Sequence, residues 1–249
     1  MRTYLVSGAG SGIGRSTSIF LSRLGHRVYL LGRRPDALAE TLSLLYGNDH
    51  RVLFADVRSV EDLKLAYQEV QGTSLDGIVA ASGIGGWSIW GEGDRWKEII
   101  DTNLTGTYNL MNTFHPLLRQ SAMRHKHIVL VTSAMARLGM PNFQALCASK
   151  AALHGLARCW ATQWAGENIL VNSICPGWVN TTMASDAIKG IAEAYSISTE
   201  EALRMCMEQV PLRKMSEPDD IAELVIYLVN QTSMTGSVVD INGGMVMAN

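Results

Sequence analysis

The fold the sequence predicts is α/β, one doubly wound parallel sheet of about seven strands with helices on both faces. Two observations carry it. Short runs rich in β-branched residues alternate with longer helical patterns from end to end, and a glycine-rich turn, GAGSGIG, joins the first run to the first helical pattern. With 249 residues, 47% of them hydrophobic and only six prolines, the chain can bury a substantial core. No linker, repeat or low-complexity tract divides it, so residues 1–249 read as a single domain.

The first strand is expected over Thr3–Ser7 and its helix over Gly12–Leu24. A second strand, Arg27–Leu31, leads to a helix at Pro35–Leu45, where proline suits a first turn whose N–H has no intrahelical acceptor. The third pair is Arg51–Ala55 and Val60–Val70, with Ser59 and Asp62 placed to cap the helix. The fourth strand, Gly77–Ala81, precedes a long helical stretch at Arg95–Gln120. The fifth, His127–Thr132, precedes the helix Phe143–Ala165, and the sixth covers Leu170–Cys175. Residues 181–215 then break the rhythm as an insertion with its own helical pattern, before the helix Pro218–Val229, opened by Pro218, and the last strand, Ser237–Ile241. In a doubly wound sheet such an insertion lies beside the ligand crevice, so it is a candidate substrate lid.

A net charge of -2 with interspersed signs argues against a nucleic-acid partner, which requires a basic face or stripe. The N-terminus lacks the long apolar region of a secretory signal, and no apolar run is long enough to span a bilayer. Cys147, Cys159, Cys175 and Cys206 show neither C-x-x-C pairing nor metal-ligand spacing, consistent with separate thiols in a reduced, cytoplasmic setting. His125 and His127 form an H-x-H without a third ligand nearby, so no metal is expected.

In YLVSGAGSGIG, Gly8, Gly12 and Gly14 stand between the first strand and the first helix, with Ser11 and Ile13 in the same turn. Glycine there permits a tight turn, and the helix N-terminus directs free N–H groups at a pyrophosphate. The flanking strand and helix supply the context of a Rossmann-type dinucleotide site. The spacing G-x-x-x-G-x-G resembles that of the short-chain dehydrogenase/reductase family. Ordered matches extend the resemblance over nearly the whole chain: ADV at Ala55–Val57, NLTG at Asn103–Gly106, VTSAMA with Ser133, SKAAL with Lys150, CPGWVNTTM at Cys175–Met183, PLRKMSEPDDIA at Pro211–Ala222, and the final SVVDINGG. Among members it looks most like the 3-oxoacyl-carrier-protein reductases of bacteria.

The resemblance implies an NAD(P)(H)-dependent oxidoreductase that interconverts a carbonyl and a secondary alcohol. It implies that Asp56 holds the adenine amino group, that Val57 packs near the ring, and that Val179 and Thr181, after Pro176 and Gly177, anchor the nicotinamide carboxamide. At the end of the second strand, an acidic residue would bond the ribose 2′-OH of NAD. Here Gly32 takes that place and Arg33 and Arg34 follow, which favours the 2′-phosphate of NADP(H). Asp36 close by leaves NAD(H) open.

Hydride transfer to a ketone needs a hydrogen-bond donor and a proton source. By the resemblance, Ser133 and Asn103 belong to that group, and Lys150 binds the nicotinamide ribose and lowers the pKa of a tyrosine. The tyrosine belongs at position 146, because i and i+4 share a helix face. That residue is Leu146. Cys147 points about 100° around the helix from it and is a poor substitute; Tyr195, in the insertion, is the other phenol considered. A second departure is Ala80–Ala81–Ser82–Gly83, where the family has N-N-A-G. Two readings stand: an oxidoreductase with an atypical or impaired proton donor, and a catalytically weak or inactive nucleotide-binding protein, whether Leu146 is natural or engineered.

Trp87, Trp90, Trp178, Met183, Met205 and Met207 are candidate lining for a small, apolar or cyclic carbonyl or alcohol substrate. Apolar residues on several sides of the long helices, among them Leu153, Leu156 and Trp160, suit burial against the sheet and a partner subunit. The resemblance implies a homotetramer. His154 is expected to pack or to serve an interface.

Overall fold

The computed structural model describes residues 1–88 and 90–247. Seven strands form one parallel sheet in the order β3-β2-β1-β4-β5-β6-β7. They are β1 (Thr3–Ser7), β2 (Arg27–Gly32), β3 (Arg51–Phe54), β4 (Gly77–Ala80), β5 (Lys126–Val131), β6 (Ile169–Pro176) and β7 (Val238–Ile241). The helices are α1 (Gly12–Arg23), α2 (Pro35–Ser43), α3 (Val60–Glu69), α4 (Trp96–Ile100), α5 (Gly106–Arg119), α6 (Gln144–Gln163), α7 (Thr182–Tyr195), α8 (Thr199–Glu208) and α9 (Pro218–Leu228). The strand order reverses direction between β1 and β4. In such sheets that point opens a crevice at the carboxyl ends of the strands.

Successive strand residues serve opposite faces, because side chains alternate along a strand. Leu5, Ile78, Ile128 and Leu130 pack with Leu63 of α3, Phe114 of α5 and Ala157 of α6. Tyr4, Val6, Val79 and Val129 pack on the other face with Leu21 of α1, Leu38 of α2 and Val225 of α9. The central strands are buried on both sides and therefore read as continuous apolar runs. At Gly77 a Cβ would lie 2.6 Å from the Tyr4 ring, so glycine is what lets β4 close against β1 there.

Helix starts follow the sequence chemistry. Ser59 accepts a bond from the Asp62 N–H at the head of α3, Pro35 and Pro218 occupy first turns, and Glu217 and Asp220 form a reciprocal cap on α9. The expected helix Arg95–Gln120 runs unbroken over Trp96–Arg119 but is not α-helical throughout. Its α4 and α5 segments are joined by a π turn at Asp101–Thr105. The Asn103 side chain there bonds the loop after β4, and the ladder widens by one residue around it.

The insertion resolves into α7 and α8, which bury Ile188, Ala192, Ala202 and Cys206 between them. No helix among the described residues is long and apolar enough to cross a membrane.

Phe114, fully buried at the centre of one face, should cost about 3–5 kcal/mol as Phe114→Ala. Tyr227, 53% exposed on α9, should cost within about 0.5 kcal/mol as Tyr227→Ala. Urea unfolding of both variants checks the contrast.

Candidate active site

A cavity of about 680 Å³ lies over the carboxyl ends of the central strands, within the size range of cofactor and ligand sites. Its floor begins at the turn between β1 and α1, where Gly8 and Gly12 have φ of +69° and +50°. A Cβ on Gly14 would lie 2.3 Å from the Gly8 carbonyl oxygen, and one on Gly8 would lie 2.7 Å from the Ala81 oxygen. Backbone thus packs directly on backbone. The first turn of α1 has no side-chain cap and no acidic residue, so its N–H groups and positive dipole end face the cavity without competition. That arrangement fits a dinucleotide pyrophosphate.

Beyond the turn, Arg33 and Arg34 line the cavity with Gly32 and Ser11. The Arg34 Nη2 donates to Ser11 Oγ at 3.0 Å. Asp36 is exposed in the first turn of α2 and does not line the cavity.

Asp56 flanks the cavity without lining it. Its neighbours Ala55 and Val57 line the cavity, whereas its own carboxylate receives Arg58 Nη2 at 2.6 Å and lies 3.6 Å from Arg33 Nη1. Burial opposes ionisation of Asp56, but the Arg58 hydrogen bonds and the two guanidiniums hold it below the usual carboxylate range. Two cations compete for the oxygens that an adenine amino group would need.

At the far end, Ser133, Leu146 and Lys150 line the same cavity. Ser133 follows β5, caps the short turn at Ala134–Ala136 and accepts from the Met135 N–H at 3.2 Å, which leaves its hydroxyl proton available. Lys150 donates to the Val131 carbonyl at 2.9 Å. Burial pushes its ammonium down to about 8, opposed only by the Cys175 thiol. That thiol is itself raised to about 12, first by burial and then by Asp240.

Asn103 is fully buried and does not line the cavity. Its Oδ1 accepts from Ile84 N at 2.8 Å, and its Nδ2 donates to Ile84 O at 3.0 Å and Ser149 Oγ at 3.2 Å. The side chain therefore ties the loop after β4 to α6. At the departure from N-N-A-G, the Ser82 N–H reaches Ser7 Oγ at 3.3 Å, joining β4 to β1.

Pro176, Gly177, Val179 and Thr181 continue the wall from β6. Gly177 passes the backbone of Asn242, whose oxygen a Cβ would approach to 2.9 Å. Thr181 caps α7 through Ala184 N and touches the start of α1 beside Gly12.

Trp87, Trp178 and Met183 line the cavity as expected of an apolar pocket. Three other expected lining residues do not. Trp90 is 88% exposed, Met205 lies on the open side of α8, and Met207 is buried between α7 and α8, where helical spacing turns it inward. Met135, Met140, Phe143 and Met245 line it instead. Met140 and Phe143 just precede the helix that carries Lys150, a proximity that could have identified them. Cys147 and Tyr195 stay out of the cavity, and Tyr195 is 64% exposed at the end of α7. Neither takes the place of a phenol at position 146.

His127 is buried in β5 and forms no metal cluster, and none occurs among the described residues. His154 packs behind the site, its ring nitrogen 3.0 Å from Thr132 Oγ1.

Residues 8–246 match a family model described as enoyl-(acyl carrier protein) reductase. The chain is 30% identical over 257 residues to a 3-oxoacyl-[acyl-carrier-protein] reductase of Staphylococcus aureus, covering 99% of this chain and 98% of the relative. It is 29% identical over 248 residues to carbonyl reductase family member 4 of Danio rerio, covering 98% of each. A solved structure of a variant of actinorhodin polyketide ketoreductase with NADPH superposes with a TM-score of 0.91 at 28% identity, over 98% of this chain and 97% of that one.

The buried lysine sets a pH dependence. In the native state its ammonium gives up the proton near pH 8, and in the unfolded chain near 10.5. Between those values the unfolded state binds more protons, so this group makes stability rise with pH, by about 3 kcal/mol in all. Lys150→Met should remove that rise, which urea unfolding of both proteins at successive pH values would reveal.

Proposed function

Since the chain belongs to the short-chain dehydrogenase/reductase family of oxidoreductases, which act on carbonyl and CH–OH groups with NAD(P)(H), we propose that it interconverts an apolar or cyclic ketone and its secondary alcohol using NADP(H). The observation that carries the reading is a single cavity lined at one end by the uncapped start of α1 and at the other by Ser133 and Lys150. A nucleotide cradle and a polar reaction centre face the same space.

The nucleotide, when bound, supplies or accepts a hydride. The α1 turn holds its pyrophosphate, Arg33 and Arg34 take the 2′-phosphate, and Val57 lies along the base. Arg33 reaches the phosphate by exchanging its 3.6 Å contact with Asp56, which Arg58 continues to neutralise. Pro176, Gly177, Val179 and Thr181 form the wall for the nicotinamide, and Lys150 reaches its ribose. Ser133 donates to the carbonyl oxygen and stabilises the charge that develops on it. Asn103 keeps the loop from Gly83 to Ile84 in register with α6 and so positions Lys150 rather than touching substrate.

Trp87, Trp178 and Met183 support an apolar substrate, and α7, which carries Met183, supports residues 181–215 as a substrate lid. The assembly we propose is a homotetramer and its location cytoplasmic.

Leu146 makes the site poor in proton donors. General acid catalysis typically contributes roughly 10²–10⁴-fold, so Leu146→Tyr should raise carbonyl reduction by up to an amount in that range, less whatever another donor already supplies. Turnover of a panel of cyclic, open-chain and thioester ketones by both proteins tests the reading; no turnover by either, with NADPH still bound, refutes it. Arg33→Ala with Arg34→Ala should weaken NADPH by about 100-fold or more and leave NADH nearly unchanged, as each lost charge-assisted contact costs about 1.5–3 kcal/mol. Fluorescence titration with the two nucleotides measures the difference.

A further inference from the structure

We propose that Lys150 is itself the proton donor of this enzyme, delivering a proton from Nζ to the substrate oxygen across the place that Leu146 leaves without one. The inference rests on the oxidoreductase reading above and assigns the step which that reading leaves open.

Three observations place Nζ in that role. Leu146 and Lys150 stand one turn apart on α6 and both line the cavity, so the lysine has access to the space beside the leucine. Of the ammonium's three protons one is directed at the Val131 carbonyl, and no carboxylate among the described residues pairs with the group. Gly83, which also lines the cavity, passes beside Nζ: a Cβ there would lie 3.3 Å from it. A side chain at that position would crowd the amine; glycine leaves it room.

The other protic groups around the cavity are less suited. Thr132 Oγ1 donates to the Ile174 carbonyl and Thr181 Oγ1 to that of Val179. Ser133 offers a hydroxyl, whose proton is too weakly acidic to be given up outright near neutrality, and it serves as a hydrogen-bond donor. Arg95 borders the cavity but is paired with Glu98, and a guanidinium does not release a proton in this range. Asp186 of α7 borders the cavity but is exposed to solvent.

The groups facing Lys150 leave its charge state to burial. Cys175 faces it from β6 and is held protonated, Asn103 approaches from the π turn without charge, and His154 follows one turn later on α6, its own protonation disfavoured first by burial. Arg137, after the short turn at Ala134–Ala136, is paired with Asp240. Burial alone brings the ammonium to about 8, a value matched to donating near neutral pH.

The step balances simply. The hydride forms the new C–H bond, the carbonyl π pair moves onto oxygen, an N–H bond of Lys150 breaks as the O–H bond forms, and the neutral amine regains its proton from water.

The test combines a direct titration with kinetics. NMR of the protein carrying 13C-labelled lysine, with the Lys150 resonance assigned by its loss in Lys150→Arg, should show the group titrating near pH 8; a midpoint above about 10 overturns the proposal. With saturating NADPH and a reducible ketone from the panel, wild-type kcat should fall tenfold per pH unit above about 8, and Leu146→Tyr should abolish or displace that limb. Lys150→Arg, which keeps the charge without a releasable proton, should lower kcat about 100-fold or more while NADPH binding by fluorescence changes less than tenfold. The added phenol in Leu146→Tyr/Lys150→Arg should recover at least tenfold. Flat wild-type kcat through pH 10, or Lys150→Arg within threefold of wild type, overturns the proposal. Turnover by Leu146→Tyr but not by wild type overturns it too and leaves the oxidoreductase reading standing, whereas turnover by neither removes both.

Discussion

Direct backbone contact at the carboxyl ends of β1 and β4 is the constraint on which the rest of the site depends. Gly14 sits against the Gly8 carbonyl and Gly8 against Ala81 and Ser82, at separations that leave no space for a Cβ. That closeness sets where α1 begins and brings its N-terminus over the sheet at the point where strand order reverses. The same principle recurs around the cavity. Gly106 passes Val57 and Gly177 passes Asn242, so the segments that would hold the two ends of a dinucleotide are placed by glycines. The cavity's shape is therefore a property of the backbone, and side chains at its two ends decide what it does.

The elements set by local chemistry were legible in the sequence. The central strands β1 and β4 are fully buried runs because both faces of the sheet are covered there, and Pro35, Ser59 and Pro218 mark helix starts for reasons confined to one turn. Features set by distant contacts were not legible in this way. The π turn at Asp101–Thr105 follows from a bond between Asn103 and Ile84, 19 residues earlier, and helical periodicity carries no trace of it. The resemblance assigns Asp56 to adenine, and the motif by itself gives no sign of the Arg58 and Arg33 contacts its carboxylate makes. Lining residues were only partly readable, since a methionine's helical position says which side is buried without saying whether that side meets a neighbouring helix or a cavity. Met183 meets the cavity and Met207 meets α7.

The treatment of charge differs at the two ends of the cavity. Near the Arg33 end the charges are partly exposed: Arg33 and Arg58 flank the Asp56 carboxylate, and Arg34 bonds Ser11. Exposed pairs of this kind contribute little to stability. At the other end one ammonium is buried with a backbone carbonyl and a protonated thiol for company. Burying an unpaired charge is costly. A fold optimised for stability alone would fill that position with an apolar residue of similar length.

Leu146 sharpens that contrast. A leucine beside a buried ammonium adds apolar surface and no hydrogen bond, so it increases the cost of keeping Lys150 charged rather than relieving it. The buried lysine opposes stability at neutral pH, so packing alone does not account for it. The retained set is instead complete around it: Val131 receives the ammonium, Gly83 leaves space beside it, and Asn103 fixes the loop that carries Gly83. With leucine rather than a phenol at position 146, the apparatus that holds the lysine in the cavity is nevertheless present. The same burial that makes this lysine expensive brings its proton within reach of neutral pH.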